Sequence, residues 1–210
     1  GFDDEFYMTL CARNDQVRAI NKVKLSEVDS EEFTFLAGVK GQFSDRLFPT
    51  SLALKLRVGA QVMFIKNDAE KRFVNGTVGK VIDLDSDKIE VAIKKPGGEI
   101  EHIDVEKFTW EIIKYKQDPS NDKLLKSEEI GSFTQYPLKL AWAVTIHKSQ
   151  GKTFDRAIID LGKKGAFESG QAYVALSRCR TLNGIVLKQP LKPRDVFIDP
   201  RITEFFQNNR

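Results

Sequence analysis

The chain has 210 residues, 41% of them hydrophobic, and a formal net charge of +3. That is room for one large domain or two small ones with an ordinary core. No apolar run approaches the ~20 residues of a bilayer-spanning helix, the acidic start GFDDEFYMTL is unlike a secretory signal, and Cys11, Cys179, His102 and His147 lack metal-ligand spacing. These features point to an intracellular protein, in which a disulfide is not expected.

In chain order, Phe6 to Leu10 reads as a strand. Asn14 is placed to cap a helix running to about Leu25, whose buried stripe is Val17, Ile20, Val23 and Leu25. Glu27 to Asp45 reads as a loop or short strands, and its Phe33, Phe35 and Phe43 suit either a core or an aromatic platform for bases. Val62 to Ile65 is a buried strand, and Asn75-Gly76 is a strong turn signal. Lys80 to Leu84, Lys88 to Ile93, Glu99 to Val105 and Phe108 to Tyr115 follow as short strands between tight turns, the pattern of a small barrel. Asp118 to Asp122 reads as a turn or loop. Near the end, Pro200 occupies a first helical position, and Ile202, Phe205 and Phe206 give that helix an apolar face.

The stretch from Leu140 to Arg180 is the richest in chemistry. An apolar run, Leu140 to Val144, enters Thr145-Ile146-His147-Lys148-Ser149-Gln150, a dense set of donors closed by Gly151. A second apolar run, Ala157 to Ile159, precedes a helical segment, Gln171 to Arg178, that ends in Arg178 and Arg180. Strand, polar turn, strand, helix is the order of an α/β sheet with its site at the strand ends. A short helix after Thr145 would offer free N–H groups to phosphate, while the alternative makes Thr145 a cap and His147 a satisfied, partly buried histidine. From Tyr136 to Arg194 there are eleven Lys/Arg against three Asp/Glu, so positive charge gathers around these motifs. A solvated basic face is the plainer account of the same numbers. Gly151-Lys152-Thr153 mimics the tail of a phosphate-binding loop, but Ile146 stands where that motif needs its first glycine.

TIHKSQG (Thr145–Gly151), then a strand, then QAYVALSRCR (Gln171–Arg180) resembles motifs V and VI of superfamily 1 helicases, in the branch holding the RecD-like and petite-integration-frequency (PIF) DNA helicases. TLCARNDQVRAIN (Thr9–Asn21) resembles motif IV, and Pro49 to Asn67 resembles the segment leading into the family's inserted β-domain. The resemblance implies an α/β fold, a RecA-like second motor domain with an inserted all-β SH3-like barrel. Its segments would be residues 1–56 and 134–210 for the motor domain and 57–133 for the insertion. It further implies ATP-driven 5′→3′ translocation on single-stranded DNA, in replication, repair, recombination or telomere maintenance. The backbone grip would fall to Thr145, His147, Lys148 and Ser149, with Arg13 and Asn14 near the DNA path. Arg178 would be an arginine finger on the transferring phosphoryl group, assisted by Arg180. Gly151 and Gln171 would lie toward the cofactor, with Gln171 and Tyr173 packing or lining the cleft. Lys66, Lys71 and Arg72 are candidates for a DNA contact from the barrel.

Lys152 and Thr153 stand where a related branch carries a ribose-binding glutamate. The chain has no Walker A motif and no paired acids for magnesium in strand context. ATP and Mg²⁺ would therefore be bound mainly by an upstream RecA-like domain, and this C-terminal fragment would be inactive alone. Expected partners are single-stranded or forked DNA and that upstream domain, with no membrane. The location would be cytoplasmic in a bacterium, nuclear or mitochondrial in a eukaryote. Two other classes remain open: a non-catalytic nucleic-acid-binding module on a degenerate helicase fold, and an SH3-like protein-interaction module.

Overall fold

The computed structural model describes residues 7–95, 97–118 and 121–208, with the side chains of 117, 118 and 121–125 left aside. In chain order, β1 (Met8–Cys11) leads into α1 (Asn14–Glu27). Short strands β2 (Glu32–Leu36), β3 (Gly38–Gly41) and β4 (Ala53–Arg57) follow, then β5 (Gln61–Phe64), β6 (Val78–Leu84), β7 (Ile89–Lys94) and β8 (Ile100–Asp104). The long pair β9 (Phe108–Asp118) and β10 (Asn121–Gln135) precedes β11 (Leu138–Leu140). The chain closes with β12 (Ala143–Thr145), β13 (Ala157–Asp160), α2 (Gln171–Leu176), β14 (Ile185–Leu187) and α3 (Pro200–Asn208). Among the described residues, no helix is long and apolar enough to cross a membrane.

These elements fall into two compact units. One joins the N-terminal residues through Glu27 to Ala141 and everything after it; the other is Val28–Leu140. The second is wider at both ends than the 57–133 segment expected from the sequence.

The first unit is built on a parallel sheet in the order β12-β1-β13-β14. Such a sheet needs apolar strands, because helices and crossovers cover it. Met8, Leu10 and Cys11 of β1, Ala143 of β12, and Ala157 and Ile159 of β13 are all buried. Burial, with the Asp160 carboxylate nearby, pushes the Cys11 thiol up to about 12. The run Leu140 to Val144 is two strands rather than one: β11 pairs with β5 in the other unit, and β12 pairs with β1. The stripe expected on α1 is also different. Leu25 is buried but Val23 is 53% exposed. Asn21 takes the inner face, its Nδ2 donating to the Ala143 carbonyl at 3.0 Å and its Oδ1 accepting the Ala143 N–H at 2.9 Å. Nor does Asn14 cap the helix. The Arg13 carbonyl accepts the Val17 N–H, and Gln16 Oε1 accepts the Arg13 N–H at 3.2 Å, so Arg13 is the cap residue and Gln16 supplies the backward half of a capping box. α3 begins at Pro200 as expected, and its Ile202, Phe205 and Phe206 are exposed.

The second unit is antiparallel throughout, with sheets β11-β5-β6-β7-β8, β3-β10-β9 and β2-β4. Alternation along β7 turns Ile89, Val91 and Ile93 inward, which is the period-2 signal of a half-buried strand. Phe64, Val81, Ile103, Phe133, Tyr136 and Leu138 complete this core. Gln135, fully buried, donates to the Phe35 carbonyl at 2.8 Å, while the Tyr136 hydroxyl donates to the Asp87 carbonyl at 2.5 Å. Of the phenylalanines between Glu27 and Asp45, Phe35 is core against Tyr136, and Phe43 packs with Phe48 and Phe133.

Candidate nucleic-acid interface

β1 and β12 are parallel neighbours, so their carboxyl ends lie side by side, Cys11 opposite Thr145. From one end the chain leaves as Ala12-Arg13-Asn14, from the other as Ile146-His147-Lys148. These residues converge with Phe167 and Glu168 around an open cavity of ≈ 420 Å³ lined by Ala12, Arg13, Asn14, Thr145, His147, Lys148, Phe167 and Glu168. A crevice outside the carboxyl ends of parallel strands is where α/β sheets place ligands.

The polar turn after β12 is shorter than the helix expected. It is a single 3-10 turn, His147–Ser149. The Lys148 N–H donates to Thr145 Oγ1 at 3.3 Å, the Ser149 N–H to the Ile146 carbonyl and the Gln150 N–H to the His147 carbonyl. Three N–H groups of the turn are thus spent on the turn itself, and the exposed side chains of His147 and Lys148 are its charged and polar donors toward the cavity. Ser149 is fully buried, its hydroxyl donating to the Ile146 carbonyl at 2.6 Å, and it lies outside the cavity lining. Thr145 is buried with its hydroxyl facing the turn it caps. His147 and Lys148 are exposed.

Arg13 is half-buried, with its guanidinium carbon 4.5 Å from the centre of the Phe167 ring. Its Nε is buried without a hydrogen-bond partner among the described residues. His147 Nε2 lies 2.5 Å from Glu168 Oε2. Neither Phe167 nor Glu168 stood out in the sequence. A single aromatic and a single acid in LGKKGAFESG carry no spacing signal, and only the loop's path brings them here.

That loop is built from both sides. The Gly162 N–H donates to Asp160 Oδ1 at 2.9 Å, the Ala166 N–H to Asp195 Oδ1 at 3.1 Å and the Phe167 N–H to Gln171 Oε1 at 3.2 Å. Asp195 is buried, and the Lys192 and Ala166 N–H groups on its oxygens hold its carboxyl below the usual range. At Gly165, φ is +77° and a Cβ would lie 2.1 Å from Asp195 Oδ1, so only glycine fits. Gln171 is thus buried as a support of this loop, while Tyr173 on the same helix is exposed.

Arg178 lies outside the cavity lining. Its Nε donates to the Val174 carbonyl at 3.0 Å, Nη1 to the Lys152 carbonyl at 3.3 Å and Nη2 to Ser177 Oγ at 2.9 Å. These partners are neutral, so the guanidinium keeps its charge uncompensated by them. Arg180, in contrast, is paired with Asp155 at 3.1 Å on an exposed surface. Gly151, at φ +74°, has open space where a side chain would begin. In the second unit, Arg72 is engaged by Asp68 and Glu70, and Lys66 Nζ stands 3.1 Å from the Phe108 ring centre.

The sequence matches the family described as "DNA helicase Pif1, 2B domain" over residues 45–84. It is 36% identical over 210 residues to the ATP-dependent DNA helicase Pif1 of Bdellovibrio bacteriovorus, covering 98% of this chain and 44% of that protein. The chain belongs to the Pif1 helicase family. Among solved structures, Bacteroides Pif1 in complex with ADP-AlF4 is similar at TM-score 0.81 and 39% identity, covering 99% of this chain and 46% of that one. Bacteroides Pif1 bound to ssDNA is similar at TM-score 0.76 and 39% identity, covering 96% and 45%. The chain spans less than half the length of each of these three relatives.

Proposed function

We propose that this chain is the second motor segment of an ATP-dependent DNA helicase that moves 5′→3′ along single-stranded DNA. The observation that carries this reading is the convergence of Arg13, Asn14, His147 and Lys148 around one crevice at the ends of two parallel strands. On this reading the first unit is a RecA-like motor domain and the second contains an SH3-like insertion. His147, Lys148 and Arg13 grip the sugar-phosphate backbone directly. Thr145 and Ser149 act from beneath, by holding the turn that presents His147 and Lys148. A relative named as an ATP-dependent DNA helicase, and Pif1 structures solved with ADP-AlF4 and with ssDNA, support the assignment.

Arg178 is the arginine finger in this scheme, reaching a γ-phosphoryl group bound with Mg²⁺ on another RecA-like domain of the longer polypeptide. Its hydrogen bonds to Val174, Lys152 and Ser177 hold the planar fork in place without neutralising it. Arg180, occupied by Asp155, is an auxiliary at most.

The grip is tested by salt titration of labelled oligothymidylate binding in the full chain. Lys148→Ala weakens binding and lowers the slope of log K against log salt by about 0.7, the value for one lost phosphate contact on a single strand. An unchanged affinity and slope would remove the crevice from DNA binding.

A further inference from the structure

The crevice is not uniformly basic. Arg13, His147 and Lys148 line it, and so does Glu168, the one carboxylate among its lining residues. Glu168 Oε2 lies 2.5 Å from His147 Nε2, and both side chains are about half exposed, 49% and 48%. A carboxylate oxygen and a phosphate oxygen make the same demand on an imidazole N–H: a short, charge-assisted hydrogen bond. Glu168 therefore already satisfies the donor that the backbone grip needs. Arg13 and Lys148 show no carboxylate partner among the described residues, so among the cavity's basic residues this contact is confined to His147.

The loop that carries Glu168 is held by the side chains of Asp160, Asp195 and Gln171, and the Gly170 N–H after it donates to the Phe197 carbonyl at 3.1 Å. Releasing His147 thus needs no loop opening. Rotation of one solvent-facing side chain is enough, while Phe167 stays against Arg13.

We propose that Glu168 is a displaceable internal counter-anion. Its carboxylate holds the place on His147 Nε2 that a nucleic-acid phosphate takes when a strand enters. This rests on the crevice binding phosphate, as proposed above. Glu168 then sets how tightly the crevice holds a strand and how fast it lets go, because the leaving phosphate is replaced at once by an anion that is always at hand. A stepping motor gains from such a ligand, since each step needs release as well as grip.

The test is a double-mutant cycle on the full chain, read by fluorescence anisotropy with fluorescein-labelled oligothymidylate, equilibrium and dissociation rate both. Glu168→Gln keeps size and removes the charge at an exposed position, so folding is not at issue. The expected result is binding roughly fivefold tighter, the upper end of what one exposed side-chain pair contributes, with slower dissociation. In a His147→Ala background the same change moves affinity by less than roughly twofold. Glu204→Gln, on exposed α3, is the control for overall charge. If Glu168→Gln leaves binding unchanged or weaker while Lys148→Ala still weakens it, the counter-anion falls and the phosphate crevice stands. A gain that persists without His147, or that Glu204→Gln reproduces, also overturns the proposal, because the effect is then general charge. If neither Lys148→Ala nor Glu168→Gln alters binding, the crevice reading falls and the counter-anion with it.

Discussion

Asn21 lies on α1, and its carboxamide closes both hydrogen bonds that Ala143 leaves open at the edge of β12. Two buried backbone groups depend on it, and a buried polar group left unpaired costs about 1–3 kcal/mol. Asn21→Ala is therefore expected to destabilise the first unit by roughly 3 kcal/mol, measured as a shift of its urea midpoint at unchanged m-value. A shift under about 0.5 kcal/mol, the range of an ordinary surface substitution, would show that water replaces the carboxamide. The sequence places Asn21 inside the motif IV resemblance but does not disclose this task, since its partner is 122 residues away. Ser149 teaches the same lesson in reverse. Its place beside His147 and Lys148 reads as a ligand, whereas the three residues of one 3-10 turn point in three directions, and the third turns its hydroxyl onto its own backbone.

At the scale of elements, strands with period-2 burial were legible. Lys88 to Ile93 and Glu99 to Val105 correspond to β7 and β8 within a residue or two; in β7 the alternating Ile89, Val91 and Ile93 are all buried, while in β8 Ile103 alone is buried and Ile100 is exposed, so its bounds rest on the flanking turns. The strand β10 was not. Its first half is polar, with Lys116 on β9 paired to Glu128 across the ladder, and such a strand is held by its hairpin partner rather than by burial. In the loop between β5 and β6, which carries Lys66, Lys71 and Arg72, Arg72 lies in a fork with Asp68, with Nε to Oδ2 at 2.8 Å and Nη2 to Oδ1 at 3.0 Å. The Arg72 hydrogen bonds hold the Asp68 carboxyl down to about 2 from an ordinary 3.8. A carboxylate depressed on folding contributes stability that is complete above its unfolded pKa and is lost as pH falls through the folded one. The second unit should thus lose stability between about pH 4 and pH 2, and Asp68→Asn should flatten that part of the melting-temperature profile. An identical acid profile in the variant would assign the loss to other carboxylates.

At the scale of the molecule, Arg178 has meaning only in the longer polypeptide to which the proposal assigns it. There, Arg178→Ala should lower single-strand-stimulated ATP hydrolysis by about 10³-fold or more, the usual weight of an arginine finger, with ATP affinity largely kept. An unchanged rate would remove Arg178 from catalysis and favour a binding module.

The sequence alone determined the family, the alternation of parallel α/β signals with antiparallel β signals, and the concentration of donors after β12. Those depend on local patterns: apolar runs, turn residues and motif spacing are all written within a few positions of one another. Tertiary structure alone decided that Leu140 to Val144 divides between two sheets, that Arg13 rather than Asn14 caps α1, and that Phe167 and Glu168 close the crevice. Those outcomes are set by contacts between residues such as Glu168 and His147, 21 positions apart, and Ala166 and Asp195, 29 apart. No local pattern encodes them, because the hydrogen bonds that select them exist only once the parallel sheet has brought its strand ends together.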